Sequence, residues 1–151
     1  DGLQVALLSS DKIAKRVSIR KHKGRLHWPL KGKVVASFGS RPHAQSAKLL
    51  GVQIAPASSS KKGRQVKVMA DGQVRYADWF GGFGLMVVVE YGHGIIGVYA
   101  HNDALYKQVG DWVEAGDVIA EAGSTGWIEK TRLYFELRDK GKAVNPTRWC
   151  R

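Results

Sequence analysis

The sequence predicts a mainly β fold (α+β) of short antiparallel strands, and three observations carry that prediction. Gly supplies 18 of 151 residues, and most of these glycines punctuate Val-rich stretches. Several of those stretches alternate apolar and polar residues with period two, the signature of a half-buried strand. Turn signals separate them: Asp71-Gly72, Gly92-His93-Gly94 and Asp139-Lys140-Gly141-Lys142.

In chain order, residues 3–20 come first, with Leu3, Leu7 and Leu8 at helical spacing and Ser9, Ser10 and Asp11 able to cap or break a helix. This segment is expected to be the end of an upstream helix or a linker. KHKGR at 21–25 reads as an exposed basic connector, so a boundary is expected between a 1–25 linker and a 26–151 domain. A Trp28-Pro29 pair and a Lys-Gly turn lead into a strand from Val34 to Phe38. Residues 39–50 read as a loop, and Gly51 to Pro56 as a strand ended by proline. Val66 to Ala70 and Gln73 to Trp79 alternate on either side of Asp71-Gly72, which predicts a hairpin. A glycine loop at 81–84 precedes Leu85 to Tyr91, apolar enough for a buried strand, and Ile95 to Ala100 follows the Gly92-His93-Gly94 turn. VGDWVEAGDVIAEAGSTG (109–126) sets glycine turns between single apolar residues that return the chain to a core. RLYFELR (132–138) alternates as the last long strand.

The formal net charge of +11 favours an anionic partner: nucleic acid, an acidic membrane surface, an anionic cell-wall polymer or an acidic protein. No nucleic-acid-binding motif accompanies it, so nucleic acid is not expected as a partner. The single cysteine, Cys150, excludes an intramolecular disulfide and a thiolate metal cluster. No stretch is long and apolar enough to span a bilayer as a helix. The chain opens abruptly at Asp1-Gly2 without a visible signal peptide, so a longer protein is expected, with any export signal upstream.

From Trp28 to Trp149 the chain resembles the LytM-type (lysostaphin-like) zinc endopeptidase domain, an antiparallel β-sheet with a groove lined by loops. The segments that carry the resemblance are WPLKGKVVASFGSR (28–41), GVQIAP (51–56), VKVMADGQVRYADW (66–79), YGHGIIGVYAHN (91–102), VGDWVEAGDVIAEAGSTG (109–126) and RLYFELRDKGKAVNP (132–146), in the family's order. Active members carry H-x-G-x-D, whose His and Asp bind zinc. They also carry Y-x-H, whose His assists catalysis, and H-x-H, whose first His is catalytic and whose second is the third ligand. Catalytic zinc needs three protein ligands and an open position for water.

Aligning Gly51 with the glycine of the first signature puts Leu49 and Gln53 at its ligand positions. Tyr134 stands at the third, and Arg132 replaces the first His of the last signature. Leucine has no donor atom, and a neutral amide is a poor substitute for a carboxylate. Of the two catalytic histidines only His101 remains, in Tyr99-Ala100-His101. The resemblance thus implies a degenerate domain with no metal and no cofactor, similar to EnvC-type murein hydrolase activators and, next, to NlpD-type ones. It further implies a groove lined by Leu50, Gln53, Phe83, Met86, Tyr99, His101, Arg132, Tyr134 and Arg138, with Arg138 available to a partner's carboxylate. Glu136 is expected to be structural.

The function implied is non-catalytic: activation of N-acetylmuramoyl-L-alanine amidases in cell division and daughter-cell separation. The partner would be a periplasmic amidase whose regulatory helix enters the vacated groove. Peptidoglycan is a second expected partner, and an upstream coiled coil would bind a membrane division complex in a Gram-negative envelope. Two rivals stay open: an active zinc endopeptidase that rebuilds a site from His43, His101 and a carboxylate, and a peptidoglycan-binding module.

Overall fold

The computed structural model describes residues 18–151. The helical segment expected at 3–8 lies outside the described residues. Ten strands follow one another: β1 (Gly32–Ala36), β2 (Val52–Pro56), β3 (Gln65–Lys67), β4 (Gly72–Trp79), β5 (Leu85–Gly92), β6 (Ile95–Leu105), β7 (Trp112–Val113), β8 (Val118–Ala122), β9 (Leu133–Asp139) and β10 (Lys142–Val144). They pair antiparallel in the order β1-β2-β9-β6-β5-β4-β7. β10 adds to β9, and β8 joins β3 to β6. The predicted antiparallel β fold is therefore the observed one.

Two hairpins follow the turn signals. β5 and β6 are joined at Gly92-His93-Gly94. β9 and β10 pair Asp139 with Lys142, which leaves Lys140 and Gly141 as a two-residue loop at φ 52° and 83°. Positive φ at both central residues matches the right-handed twist of the flanking strands.

The hairpin expected across Asp71-Gly72 does not form. β3 stops at Lys67 and pairs with β8, while β4 pairs with β5 and β7. The second half of the expected strand bonds elsewhere: Val68 N donates to Asp117 O (3.0 Å) and Gly116 N donates to Val68 O (2.8 Å). Gly72 serves instead as a strand residue in close contact, since a Cβ there would meet Glu90 O at 2.5 Å. The packed domain also begins before the expected boundary at residue 26. Ile19 is buried in the core, and Arg20 Nη1 donates to Asp139 Oδ2 at 2.8 Å, tying residues 18–22 to the β9–β10 turn. Lys21 to Arg25 are exposed, as a connector should be.

Cross-strand register assigns the faces of the sheet. Val52, Ile54, Val87, Val89, Tyr99, Leu133, Phe135 and Leu137 point to one side and belong to the main core. Each fully buried aliphatic or aromatic side chain there contributes about 1.5–3 kcal/mol relative to exposure. Trp149 and Cys150 close this core from the chain's end through the Leu26–Cys150 bridge. Tyr91 and Tyr99 bury their hydroxyls against each other, so neither is left unsatisfied.

Candidate functional site

The opposite face carries a smaller cluster of Met86, Ala100 and Tyr134, with Leu49, Tyr76, Val88 and Val98 packed against it. It floors a cavity of about 510 Å³ whose lining includes Leu49, Leu50, Gln53, Phe80, Phe83, Met86, Val98, His101, Tyr134, Glu136 and Arg138. Register explains the floor. Gln53 pairs with Tyr134 across β2 and β9, Tyr134 with Ala100 and Glu136 with Val98 across β9 and β6, so all five share one face.

Seven of the nine groove residues expected from the sequence line this cavity: Leu50, Gln53, Phe83, Met86, His101, Tyr134 and Arg138. Tyr99 does not. It pairs with Phe135, stacks on that ring at 5.3 Å and is fully buried in the main core. Counting back by two from His101 assigns Tyr99 to the groove, and a bulge defeats that count. Val87 pairs with Tyr99 but Leu85 with Asn102, so β6 carries an extra residue between them. His101 takes it up at φ 66° and brings its ring within 6.3 Å of Phe83 and 6.4 Å of Tyr134. Arg132 also lies outside the cavity. It precedes β9, bonds Gly123 O through its own N–H (3.0 Å) and turns its guanidinium to Thr131 O (2.8 Å), so the alternation of β9 does not reach it.

Two loops set the rim. Trp127 N donates to Gly82 O (2.7 Å), and Leu85 N donates to Thr125 Oγ1 (3.1 Å). Loop 80–84 and the segment 123–127 are thereby pinned together. A Cβ on Gly126, at φ 82°, would lie 2.3 Å from Gly82 O. The same hinge orients His101, whose Nδ1 stands 2.8 Å from Thr125 O. A carbonyl only accepts, so Nδ1 carries the proton and Nε2 is left as the lone-pair nitrogen. Burial holds the His101 imidazole below its ordinary pKa, opposed in part by the Thr125 carbonyl. Above the rim stand exposed apolar groups: Leu50 is 48% exposed, Phe80 51% and Phe83 38%.

Glu136, expected from the sequence to be structural, also lines the groove. It is buried in the floor, accepts from the Tyr134 hydroxyl (2.6 Å) and from Arg138 Nε, and so joins three same-face residues of β9. The parity of Tyr134 and Arg138 would have found it. Arg138 is thus committed to Glu136, and also donates to Gly141 O, rather than standing free for a partner's carboxylate. Burial, reinforced by the bond to Glu136, pushes the Tyr134 phenol well above its ordinary pKa.

These donors do not fit the family's zinc. Leu49 offers no ligand atom, Gln53 an uncharged amide, and Tyr134 a neutral phenol whose hydroxyl donates a hydrogen bond to Glu136. Among the described residues no three His, Cys, Asp or Glu side chains converge as a ligand set, and the combination of His43, His101 and a carboxylate does not assemble.

The model of peptidase family M23 matches residues 48–146, which span the groove. The chain belongs to that family. Among curated M23-type relatives, it is 39% identical over 127 residues to the murein hydrolase activator EnvC of Escherichia coli (strain K12), covering 84% of this chain and 29% of the relative. It is 38% identical over 123 residues to the murein hydrolase activator NlpD of the same organism, covering 81% of this chain and 30% of that protein. The chain therefore spans under a third of either relative. A zinc-containing peptidase from Vibrio cholerae shares the M23 fold with a TM-score of 0.69 at 21% identity, over 83% of this chain and 40% of that one. The catalytic domain of lysostaphin from Staphylococcus simulans does so at 0.65 and 24%, over 76% and 89%.

Proposed function

We propose that this M23 domain is a non-catalytic activator of cell-wall N-acetylmuramoyl-L-alanine amidases, acting in cell division and daughter-cell separation in the Gram-negative periplasm. The amidase's regulatory helix would dock in the groove. The observation that carries this reading is a groove kept intact while its ligand positions hold Leu49, Gln53 and a hydrogen-bonded Tyr134. A site under no demand to bind metal, yet still floored, pinned at its rim and edged by Leu50, Phe80 and Phe83, has the anatomy of a protein-docking cleft. The names of the relatives, murein hydrolase activators, support the same class of role. Activation is then a population shift, in which the domain binds the open amidase more tightly than the closed one.

The test mixes the chain with a purified N-acetylmuramoyl-L-alanine amidase and dye-labelled sacculi. The chain alone should release no dye, and the mixture should release it. Phe83→Ala and Leu50→Asp, both exposed positions, should cut stimulation at least tenfold, the scale of a hot-spot loss of about 2 kcal/mol, with unchanged circular dichroism. Normal stimulation by both folded variants would remove the groove as the docking site.

A further inference from the structure

A second and larger cavity, of about 850 Å³, shares no lining residue with the groove. Residues 27–32, the 58–63 loop, β3 and the 115–116 turn enclose it. Its floor is apolar: Pro29, Leu30, Val68 and Met69 are buried there beside the half-buried indole of Trp28. Four exposed cations, Lys31, Lys62, Lys67 and Arg151, stand round that floor, and no Asp or Glu lines the cavity. No ion pair ties any of the four to a carboxylate among the described residues.

Backbone bonds hold the walls in place. Lys67 N donates to Pro29 O (2.8 Å) and Ala57 N to Lys31 O (2.9 Å), which fastens the 27–32 segment to β3 and to the end of β2. Gly116 N donates to Val68 O (2.8 Å). The 58–63 loop closes on itself, with Gly63 N donating to Ser60 Oγ (3.0 Å) and Ser60 N to Ser58 Oγ (3.2 Å). Like charges gathered by a fixed backbone repel one another, and an anion placed among them relieves that repulsion.

Floor and rim select for different chemistry in one ligand. The apolar floor takes hydrocarbon, and the lysine stems extend it up the walls while their ammonium groups stay in water. A wholly hydrophilic anion would leave the floor without a partner, and a neutral hydrocarbon would leave the cations without one. A carboxylate brings a single charge. A phosphate brings up to two, with three strong acceptor oxygens, and so matches several cations at once. The volume lies in the range of about 300–1,000 Å³ typical of sites for small ligands.

We propose that this cavity binds a phosphate-headed lipid, with one alkyl chain on the apolar floor and the phosphate among Lys31, Lys62, Lys67 and Arg151. The cavity and the groove have no lining residue in common, so lipid binding here does not depend on what the groove engages. One domain can then hold a lipid and a protein partner at the same time.

Calorimetric titration of the chain with n-octyl phosphate, kept below its micelle concentration, tests this beside ethyl phosphate and octylphosphocholine. Octyl phosphate should bind, and its binding should weaken as salt rises, because the cations are exposed. Each methylene taken from water adds about fourfold in affinity. Burial of about two of the methylenes that separate octyl from ethyl therefore makes ethyl phosphate about tenfold weaker or more. Octylphosphocholine, whose headgroup carries no net charge, should also be weaker by about tenfold or more. Lys62→Glu/Lys67→Glu should cut octyl phosphate binding at least tenfold by reversing charge. Ala115→Trp, at an exposed lining position, should do so by filling the cavity. Both variants should keep the circular dichroism of wild type, and the groove variant Phe83→Ala should bind octyl phosphate as wild type does. Absence of binding, unchanged binding in either folded cavity variant, loss of binding in Phe83→Ala, or equal binding of octylphosphocholine would overturn the proposal. Ethyl phosphate binding as tightly as octyl phosphate would overturn it too, in favour of a site for free phosphate.

Discussion

Removing the Arg138 guanidinium should expose how the floor of the groove is built. Glu136 is 4% exposed and holds its carboxylate between the Tyr134 hydroxyl and Arg138 Nε. Arg138→Met takes away the cation and leaves the buried carboxylate with one neutral donor. Breaking a fully buried ion pair costs about 3–5 kcal/mol. The Arg138 side chain is 33% exposed, so water reaches part of the pair, and the loss is expected to fall to about 1–2 kcal/mol. Glu136→Gln removes the other charge while its amide oxygen can still accept from Tyr134. The double variant should therefore be less destabilised than the sum of the two singles, by a coupling of about 1–2 kcal/mol. Urea unfolding of the four proteins gives that number from the midpoints, provided the slopes agree. Because Arg138 is held in the floor by Glu136, the folded double variant is expected to stimulate the amidase nearly as wild type does. Additive single costs, or a stable double variant without stimulation, would refute the assignment of Arg138 to the floor.

Three other outcomes can be checked. His101 is held below its ordinary pKa of 6.5 mainly by burial. The unfolded chain then binds a proton that the folded one refuses, so its share of stability is present above pH 6.5 and is lost as pH falls from 6.5 through the lowered folded value. His101→Gln should flatten that part of a urea-midpoint-versus-pH curve, and an unchanged slope would place the titration elsewhere. Gly141→Ala and Gly126→Ala should differ although both glycines have φ near 82–83°. The first has open space around a Cβ and should lose about 1–2 kcal/mol from backbone strain alone. The second drives a Cβ to 2.3 Å from Gly82 O, should cost more than that, and should cut stimulation by parting the rim loops; equal thermal shifts would contradict the close approach. Dialysis against zinc followed by elemental analysis should leave well under one equivalent bound, because Leu49, Gln53 and Tyr134 offer no anionic or imidazole donor; one tightly held equivalent would reopen the peptidase reading.

Individual positions are legible in the sequence where their chemistry is local. A leucine at 49 and a glutamine at 53 are poor metal donors in any fold, and Lys140-Gly141 closes a two-residue hairpin because both residues take up positive φ. The resemblance puts Tyr134 on the groove face, and alternation along β9 from there reaches Glu136 two residues further on.

Where residues depend on partners distant in the chain, periodicity was not enough. Asp71-Gly72 looks like a hairpin until β3 takes β8, some fifty residues on, as its partner. Tyr99 falls into the core because one extra residue between Tyr99 and Asn102 reverses the parity that His101 suggests, and an insertion of that kind leaves no mark in the apolar pattern. The sequence by itself therefore determined the antiparallel β class, which follows from side-chain type and two-residue spacing, and, through its resemblance to the family's zinc signatures, the loss of the ligands. Only the tertiary structure decided that Arg138 belongs to Glu136 and that Lys31, Lys62, Lys67 and Arg151 surround one cavity. Those groups meet only after strand pairing has brought separate parts of the chain together.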